Sequence, residues 1–410
     1  MKKLVSLFLL FLPMLMSAES EGVTALKPLT SEQKVIDFEY LYAVLRDNYP
    51  FFGVAERKYG VNWLAKHDEY VQRLKATADD AAYYRELNSI LRELHDGHLD
   101  FSPTIKYSKF KPILDGLGPD FEPWSRAMHR DSVRAVYWEQ LLAKKDVEHK
   151  PVKKKSLPKQ RGKKSYYADT LLCNGKIALM RLSSLPYEKI SVDSLRIASF
   201  LSTISEADYL IIDIQGNSGG SELYWSRLVV SRLIPKPITY FSTQIVRGGE
   251  INREYCPEFF EEAESLTGEV CSGLPDELYD GTFYLRKYPC EVAASDPIAF
   301  RGKIYLLVDR KVFSSAGGWA DFCKQTGWAT VVGETTGVQG IGRDPIVISL
   351  PESLSVEMLE SGLLLRYPYC NGINADGTFN GEVGVRPDIE IHGKDKNERL
   401  QNLIEYLSAL

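Results

Sequence analysis

The chain has 410 residues, with 50 Lys/Arg against 55 Asp/Glu and a formal net charge of −5. Nothing in that balance invites nucleic acid or an anionic lipid surface. The length exceeds the roughly 250–300 residues over which a single core grows, so two domains are expected.

Met1–Ser17 begins with Lys2 and Lys3, continues through the apolar stretch Leu4–Met16, and gives way to Ala18 before Glu19. A segment that short, ending in small residues, has the pattern of a cleavable secretory signal rather than a membrane anchor. A cut after Ala18 leaves no cysteine for lipid attachment and moves the formal charge from −5 to −7, since two lysines and no acid are lost. No later apolar run approaches about 18 residues, so no stable membrane insertion is expected. The double lysine and short hydrophobic region predict bacterial export, to a periplasmic or extracellular location.

Residues 19–101 read as an N-terminal helical domain. Thr30 with Gln33 forms a capping-box pattern, and Val35, Ile36, Phe38, Leu41, Tyr42 and Leu45 follow the helical period. Further helices are expected at about Trp63–Leu74 and Ala81–Leu94. The last runs into ELHDGHLDF at 93–101, where Gly97 ends the helical pattern between His95 and His98. Two histidines three apart have metal-ligand spacing, but no third ligand cluster accompanies them. A single general base at a helix end fits the segment better, because histidine titrates near neutrality.

Residues 102–170 read as a variable connector, helical near Ser132–Leu142. Its stretch 144–164 holds ten Lys/Arg against two acids around Pro151 and Pro158, the composition of a solvated linker. From residue 171 to 396, apolar strands alternate with helical patterns, as in a layered α/β core. Ser191–Ile204 is the expected crossover helix between strands Ile177–Leu182 and Tyr209–Ile214. An acidic, aromatic insertion at 246–295 is expected to wall the cleft. Residues 397–410 are a C-terminal amphipathic helix, expected to pack on the chain's own core. Of the six cysteines, Cys256, Cys271 and Cys290 cluster, so one disulfide is expected there.

Two loops in the core carry chemistry. DIQGNSGGSE at 213–222 follows the apolar run Tyr209–Ile212, and its glycines permit positive φ and close approach to a ligand. Such a loop is either a tight strand-to-helix turn or a cradle of backbone N–H groups for an oxyanion. A phosphate is disfavoured, because no Lys-Ser/Thr pair follows and the spacing is not G-x-G-x-x-G. DRKVFSSAGGWADF at 309–322 follows the apolar run Ile304–Val308 and leads into a helix. A serine on that turn is either an N-cap or a nucleophile at the positive end of the helix dipole.

Taken in order, LHDGH, CNGKIALMRLSSLP at 173–186, DIQGNSGG, VFSSAGGWADF with GETTG, and GEVGVRPDIEI at 381–391 resemble the tail-specific (C-terminal processing) and tricorn-core serine peptidases, in their histidine-base D-G-H branch. The resemblance implies an N-terminal helical bundle followed by a ClpP/crotonase-like layered α/β catalytic core, without a detectable PDZ domain. It implies Ser314 as nucleophile, His98 as base, Glu382 as an orienting acid, and an oxyanion hole from Gly219 or Gly220 with Ser315. It implies a polypeptide substrate and no cofactor or metal. Three positions depart from the family pattern. Gln215 stands where an arginine is usual, Gln339 where the serine–lysine branch has its lysine, and Gly317–Gly318 where a glutamate often follows the nucleophile. These departures leave a second reading open, a catalytically inactive relative binding a peptide or apolar ligand in the same cleft.

Overall fold

The computed structural model describes residues 27–101, 108, 132–148, 166–338, 346–350 and 360–410. The expected signal, most of the connector with its basic linker, and Gln339 lie outside them.

The helical region begins with α1 (Ser31–Asn48), α2 (Phe52–Tyr59), α3 (His67–Lys75) and α4 (Asp80–Arg92). The capping box closes as read: Thr30 Oγ1 accepts from Gln33 N–H, and Gln33 Oε1 accepts from Thr30 N–H. Phe38, Leu41 and Leu45 then lie on one buried face. The helix expected from Trp63 starts later. Trp63 leads into a 3₁₀ turn, and its indole N–H donates to Ile90 O on α4 at 3.0 Å. Helix α2 was not anticipated; it ends at Gly60, whose φ of 68° is the left-handed value that glycine tolerates. Helix α5 (Ser132–Glu148) covers the expected connector helix.

The core sheet is built from β1 (Tyr167–Leu172), β2 (Ile177–Leu182), β3 (Tyr209–Asp213), β7 (Lys303–Val308), β8 (Thr330–Gly333) and β12 (Ile389–Glu390), in the order β1-β2-β3-β7-β8-β12. Only the β1–β2 pair is antiparallel. Its central strands are mostly apolar because both faces are covered. Ala178, Met180 and Leu182 of β2, Leu210 and Ile212 of β3, and Leu306 and Val308 of β7 point to one core. That core is shared with α6 (Ile190–Leu201), α7 (Glu222–Leu228) and α10 (Ser315–Thr326). The alternate residues Ile177, Leu179, Ile211, Leu307 and Val332 face the other side, where α11 (Lys396–Ser408) buries Leu400, Leu403 and Leu407. The C-terminal helix therefore packs on its own sheet.

The insertion forms β4 (Ile238–Arg247), α8 (Glu250–Tyr255), α9 (Pro257–Glu262), β5 (Glu264–Ser265) and β6 (Phe283–Val292). With β11 (Cys370–Gly372) its strands make an antiparallel sheet in the order β11-β4-β6-β5, beside a ribbon of β9 (Ile346–Leu350) and β10 (Leu363–Tyr367). Of these, β4, α8, α9, β6, β10 and β11 share one hydrophobic core with α1–α4. Asn48 fastens the two regions, since its Oδ1 accepts from Asn252 N–H and its carbonyl from Asn252 Nδ2. The expected disulfide does not form, and no two of the six cysteines are bridged. Cys290 lies opposite Tyr240, seven residues along β6 from Phe283 (290 − 283). At about 3.3 Å per residue that is about 23 Å from the end of the strand joined to the Cys256–Cys271 loop.

Candidate active site

The chemistry-bearing loops leave the carboxyl ends of adjacent parallel strands, where open α/β sheets place their ligands. Strand β3 runs into 214–220, β7 into 309–314 and β8 into the GETTG segment. Ser314 precedes α10 with φ 55° and ψ −134°, a conformation costly for a residue bearing Cβ. Its side chain makes no capping hydrogen bond to the helix. The N-cap reading therefore fails, and strain without a capping function points to another use for the hydroxyl. Ser315 is different. It is buried, and its Oγ accepts from the Trp225 indole N–H at 3.3 Å, with Trp225 stacked on Trp319. The structure thus separates the two serines: Ser314 is half-buried with a hydroxyl uninvolved in capping, and Ser315 is held in the core. As the first helical residue, Ser315 has a backbone N–H that intrahelical bonding cannot satisfy.

The glycine loop is laced onto this turn by Asn217, which is fully buried. Its Nδ2 donates to Leu182 O at 2.9 Å, its Oδ1 accepts from Gly219 N–H at 2.8 Å, and its carbonyl accepts from Phe313 N–H at 3.1 Å. Asp309 completes the lacing, accepting from Gly216 N–H and Lys311 N–H. Gly219 has φ +93°, and a Cβ added there would lie 2.8 Å from Ser314 Cβ and from Phe313 O. Only glycine permits this approach. The oxyanion donor expected at Gly219 is committed to Asn217, whereas Gly220 N–H has no acceptor among the described residues.

His98 reaches the same turn from the helical region. Its ring lies 4.7 Å from that of Phe313, the residue before Ser314, with the planes at 31°. Gly97 sits over the same ring, where an added Cβ would be 3.4 Å from Phe313 Cζ. The histidine segment is held on both sides. Asp96 Oδ1 accepts from His98 N–H at 2.7 Å, and Asp96 Oδ2 accepts from Tyr49 O–H at 2.8 Å. Burial and the neighbouring Asp96 push the Tyr49 phenol well above its ordinary range, so it stays a neutral donor. Two residues on, Asp100 pairs with Arg366 of β10 through reciprocal backbone bonds and a two-point ion pair of 3.2 and 2.7 Å.

Glu382 lies elsewhere in these contacts. Its carboxylate is gripped by Arg57 Nε and a terminal guanidinium nitrogen at 3.0 and 2.7 Å, and Lys58 Nζ donates to its carbonyl. Arg57 also bonds Glu277 of the insertion. The acid bonded to the His98 segment is Asp96. Among the described residues, no group of three or more His, Cys, Asp or Glu side chains forms a metal site.

The sequence model of Peptidase family S41 matches residues 176–391, more than half of the chain. The chain belongs to peptidase family S41. No protein of curated function matches it in sequence. Among solved structures, this S41 chain is similar to a candidate peptidase from Parabacteroides merdae. The identity is 19%, over 92% of this chain and 96% of that one, with a TM-score of 0.55. It is also similar to mature CPAF, at 13% identity over 92% and 96% with a TM-score of 0.53. CPAF complexed with lactacystin gives 14% identity over 92% and 97%, with a TM-score of 0.54. At these identities the likeness is one of fold, and it bears out the helical region followed by a layered α/β core.

Several residues that shape the site of this S41 chain carried no separate signal in the sequence. Asp96 and Asn217 were visible only as letters inside motifs, and Asp309 only as the first residue after a strand. Trp225 and Arg366 lie far from the loops they support, and no local pattern marks them.

Proposed function

We propose that this S41 chain is an exported serine endopeptidase that cleaves extended polypeptides through an acyl-enzyme. The observation that carries the reading is the strained Ser314, without a capping bond, at the N-terminus of α10 and against Gly219. In the proposed reaction, a ring nitrogen of His98 takes the Ser314 Oγ proton as Oγ attacks the scissile carbonyl carbon. The carbonyl π-electrons move onto oxygen, and the N–H groups of Gly220 and Ser315 stabilise that charge with the α10 dipole. Collapse of the adduct breaks the C–N bond, and His98 returns the proton to the leaving amine. Water then enters by the same route in reverse and frees the acid product.

Gly219 serves here by letting the loop approach Ser314, with Gly220 as the donor. Asp96 fixes the His98 segment, and the role for Glu382 is to hold Arg57 and the adjoining insertion against the closing loop. Export rests on Lys2, Lys3, the Leu4–Met16 stretch and Ala18. Among the described residues no helix is long and apolar enough to cross a membrane.

The test is incubation of residues 19–410, and of the Ser314→Ala and His98→Ala variants, with denatured casein and a peptide library, read by mass spectrometry. Fragments should appear with the parent and vanish with Ser314→Ala. A folded parent that cuts nothing rejects the peptidase reading in favour of a binding protein using the same cleft.

A further inference from the structure

The first turn of the C-terminal helix grips the loop that carries the proposed oxyanion donor. Asp395 caps α11 by accepting from the backbone N–H groups of Asn397 and Glu398. Leu400, Leu403 and Leu407 anchor the helix to the sheet. That leaves Lys396 and Arg399 facing the loop after β3. Lys396 Nζ donates to Gln215 O at 2.6 Å, and Gln215 Nε2 donates back to Lys396 O at 3.0 Å. Arg399 donates to Gln215 Oε1 at 2.5 Å and pairs through its other terminal nitrogen with Glu334 Oε1 at 2.7 Å. A Cβ on Gly216 would lie 1.9 Å from Lys396 Nζ, so the lysine rests directly on the backbone of that loop.

The loops after β3, β7 and β8 are thereby joined at Gln215, Asp309 and Glu334. Arg399 is nearly fully buried. Burial pushes the Glu334 carboxyl up, but its bond to Arg399 and the Arg399 and Arg310 charges more than offset this and hold it below its usual value. Arg399 Nε and Glu334 Oε2 are buried without a protein partner among the described residues. A pair buried at Arg399 and part-exposed at Glu334 contributes weakly to stability. What it does fix is geometry: Gln215–Gly216 are gripped from below, and Asn217–Gly220 follow directly.

We infer that Lys396 and Arg399 are positioning residues that set the register of the 215–220 loop, making the C-terminal helix part of the active site. The inference rests on the serine peptidase reading. Charge that the loop itself lacks, having Gln215, is brought to it from the helix.

The experiment uses the mature chain and three variants, Lys396→Met, Arg399→Lys and Leu403→Ala. It measures kcat and KM on a cleaved peptide, the rate of Ser314 labelling by a fluorophosphonate, and the melting temperature. Lys396→Met should lower kcat and the labelling rate about tenfold, with KM within about twofold, because donors misaligned by a fraction of an ångström lose transition-state stabilisation. Arg399→Lys, which keeps the charge and one bond, should fall between Lys396→Met and the parent. Leu403→Ala, which loosens the helix anchor without removing a bond to the loop, should melt lower and lose less kcat than Lys396→Met. A folded Lys396→Met protein with kcat within twofold of the parent overturns the inference, as does an equal loss of kcat in Leu403→Ala. Lys396→Met decides the matter even where Arg399→Lys does not fold. A parent that neither cleaves nor labels rejects the peptidase reading itself, and this inference with it.

Discussion

Gly219→Ala tests the site where its geometry is tightest. The new Cβ would sit 2.8 Å from Ser314 Cβ, 2.8 Å from Phe313 O and 3.1 Å from Ser315 N. All three belong to the nucleophile turn and none is the free end of a flexible side chain. Ordinary contact begins near 3.4 Å, so the loop and the turn must part by about 0.6 Å (3.4 − 2.8). An alanine at φ +93° adds about 1–3 kcal/mol of backbone strain. Stability should therefore fall by about 2–3 kcal/mol, within range of a folded protein at 25 °C. The larger effect is on catalysis. A half-ångström separation of Ser314 from the Gly220 donor should cost about 10²-fold in kcat, with KM changed much less. Steady-state kinetics on a cleaved peptide, beside a denaturant melt, measures both. A Gly219→Ala protein with parental kcat and parental stability would refute the close approach on which the proposed site depends.

The remaining predictions separate neighbouring roles. Ser315→Ala should keep kcat within about threefold of the parent, since its backbone N–H remains, while losing about 1 kcal/mol in a urea melt as Trp225 loses its acceptor. Tyr49→Phe removes the phenol's bond to Asp96 Oδ2 and should lower kcat about fivefold to tenfold in peptide cleavage, with about 1–2 kcal/mol of stability lost. One source of pH-dependent stability is Asp37, which is fully buried, with its Oδ1 lacking a partner among the described residues and Glu360 close by. Burial lifts its pKa to about 7, so the folded chain holds a proton that the unfolded chain has released above about pH 4. This contribution is fully present below about pH 4 and is lost as pH rises to about 7, by at most about 1.4 kcal/mol per unit. Asp37→Asn should flatten that slope in melts taken across the window, and an unchanged slope would remove Asp37 as its source.

How far the sequence carried these conclusions depended on whether the determining interactions were local. Strands β2, β3, β7 and β8 were legible because burial on both faces of a parallel sheet leaves short apolar runs. The glycine loop and the serine turn were legible because positive φ and helix starts restrict residue choice at the position itself. Ser314 and Ser315 could not be separated that way. Their difference lies in Trp225, which is 90 positions from Ser315 and takes its hydroxyl into the core. The disulfide expectation failed for the same reason: proximity in sequence placed Cys290 near Cys256, while the length of β6 carries it away.

The restraints on the loops of the proposed site show the limit most plainly. Asp100 meets Arg366 across 266 positions, and Gln215 meets Arg399 across 184. Neither pair has periodicity, turn chemistry or spacing to mark it, because each is specified only once both partners' elements are packed. Yet these contacts distinguish a site from a set of motifs. A serine, a histidine and two backbone N–H groups act together only when their loops are held to a fraction of an ångström. The loops leaving β3 and β7 are laced to each other by Asn217 and Asp309, and the loop leaving β8 meets them at Val312, the acceptor of Gly337 N–H. The C-terminal helix adds a hold on the loop after β3, while Tyr49 and Arg366 hold the segment that carries His98. If Ser314 and His98 react as proposed, the parts of this chain outside the family match tune that reaction: the region before residue 176 through Tyr49 and Asp96, and the region after 391 through Lys396 and Arg399.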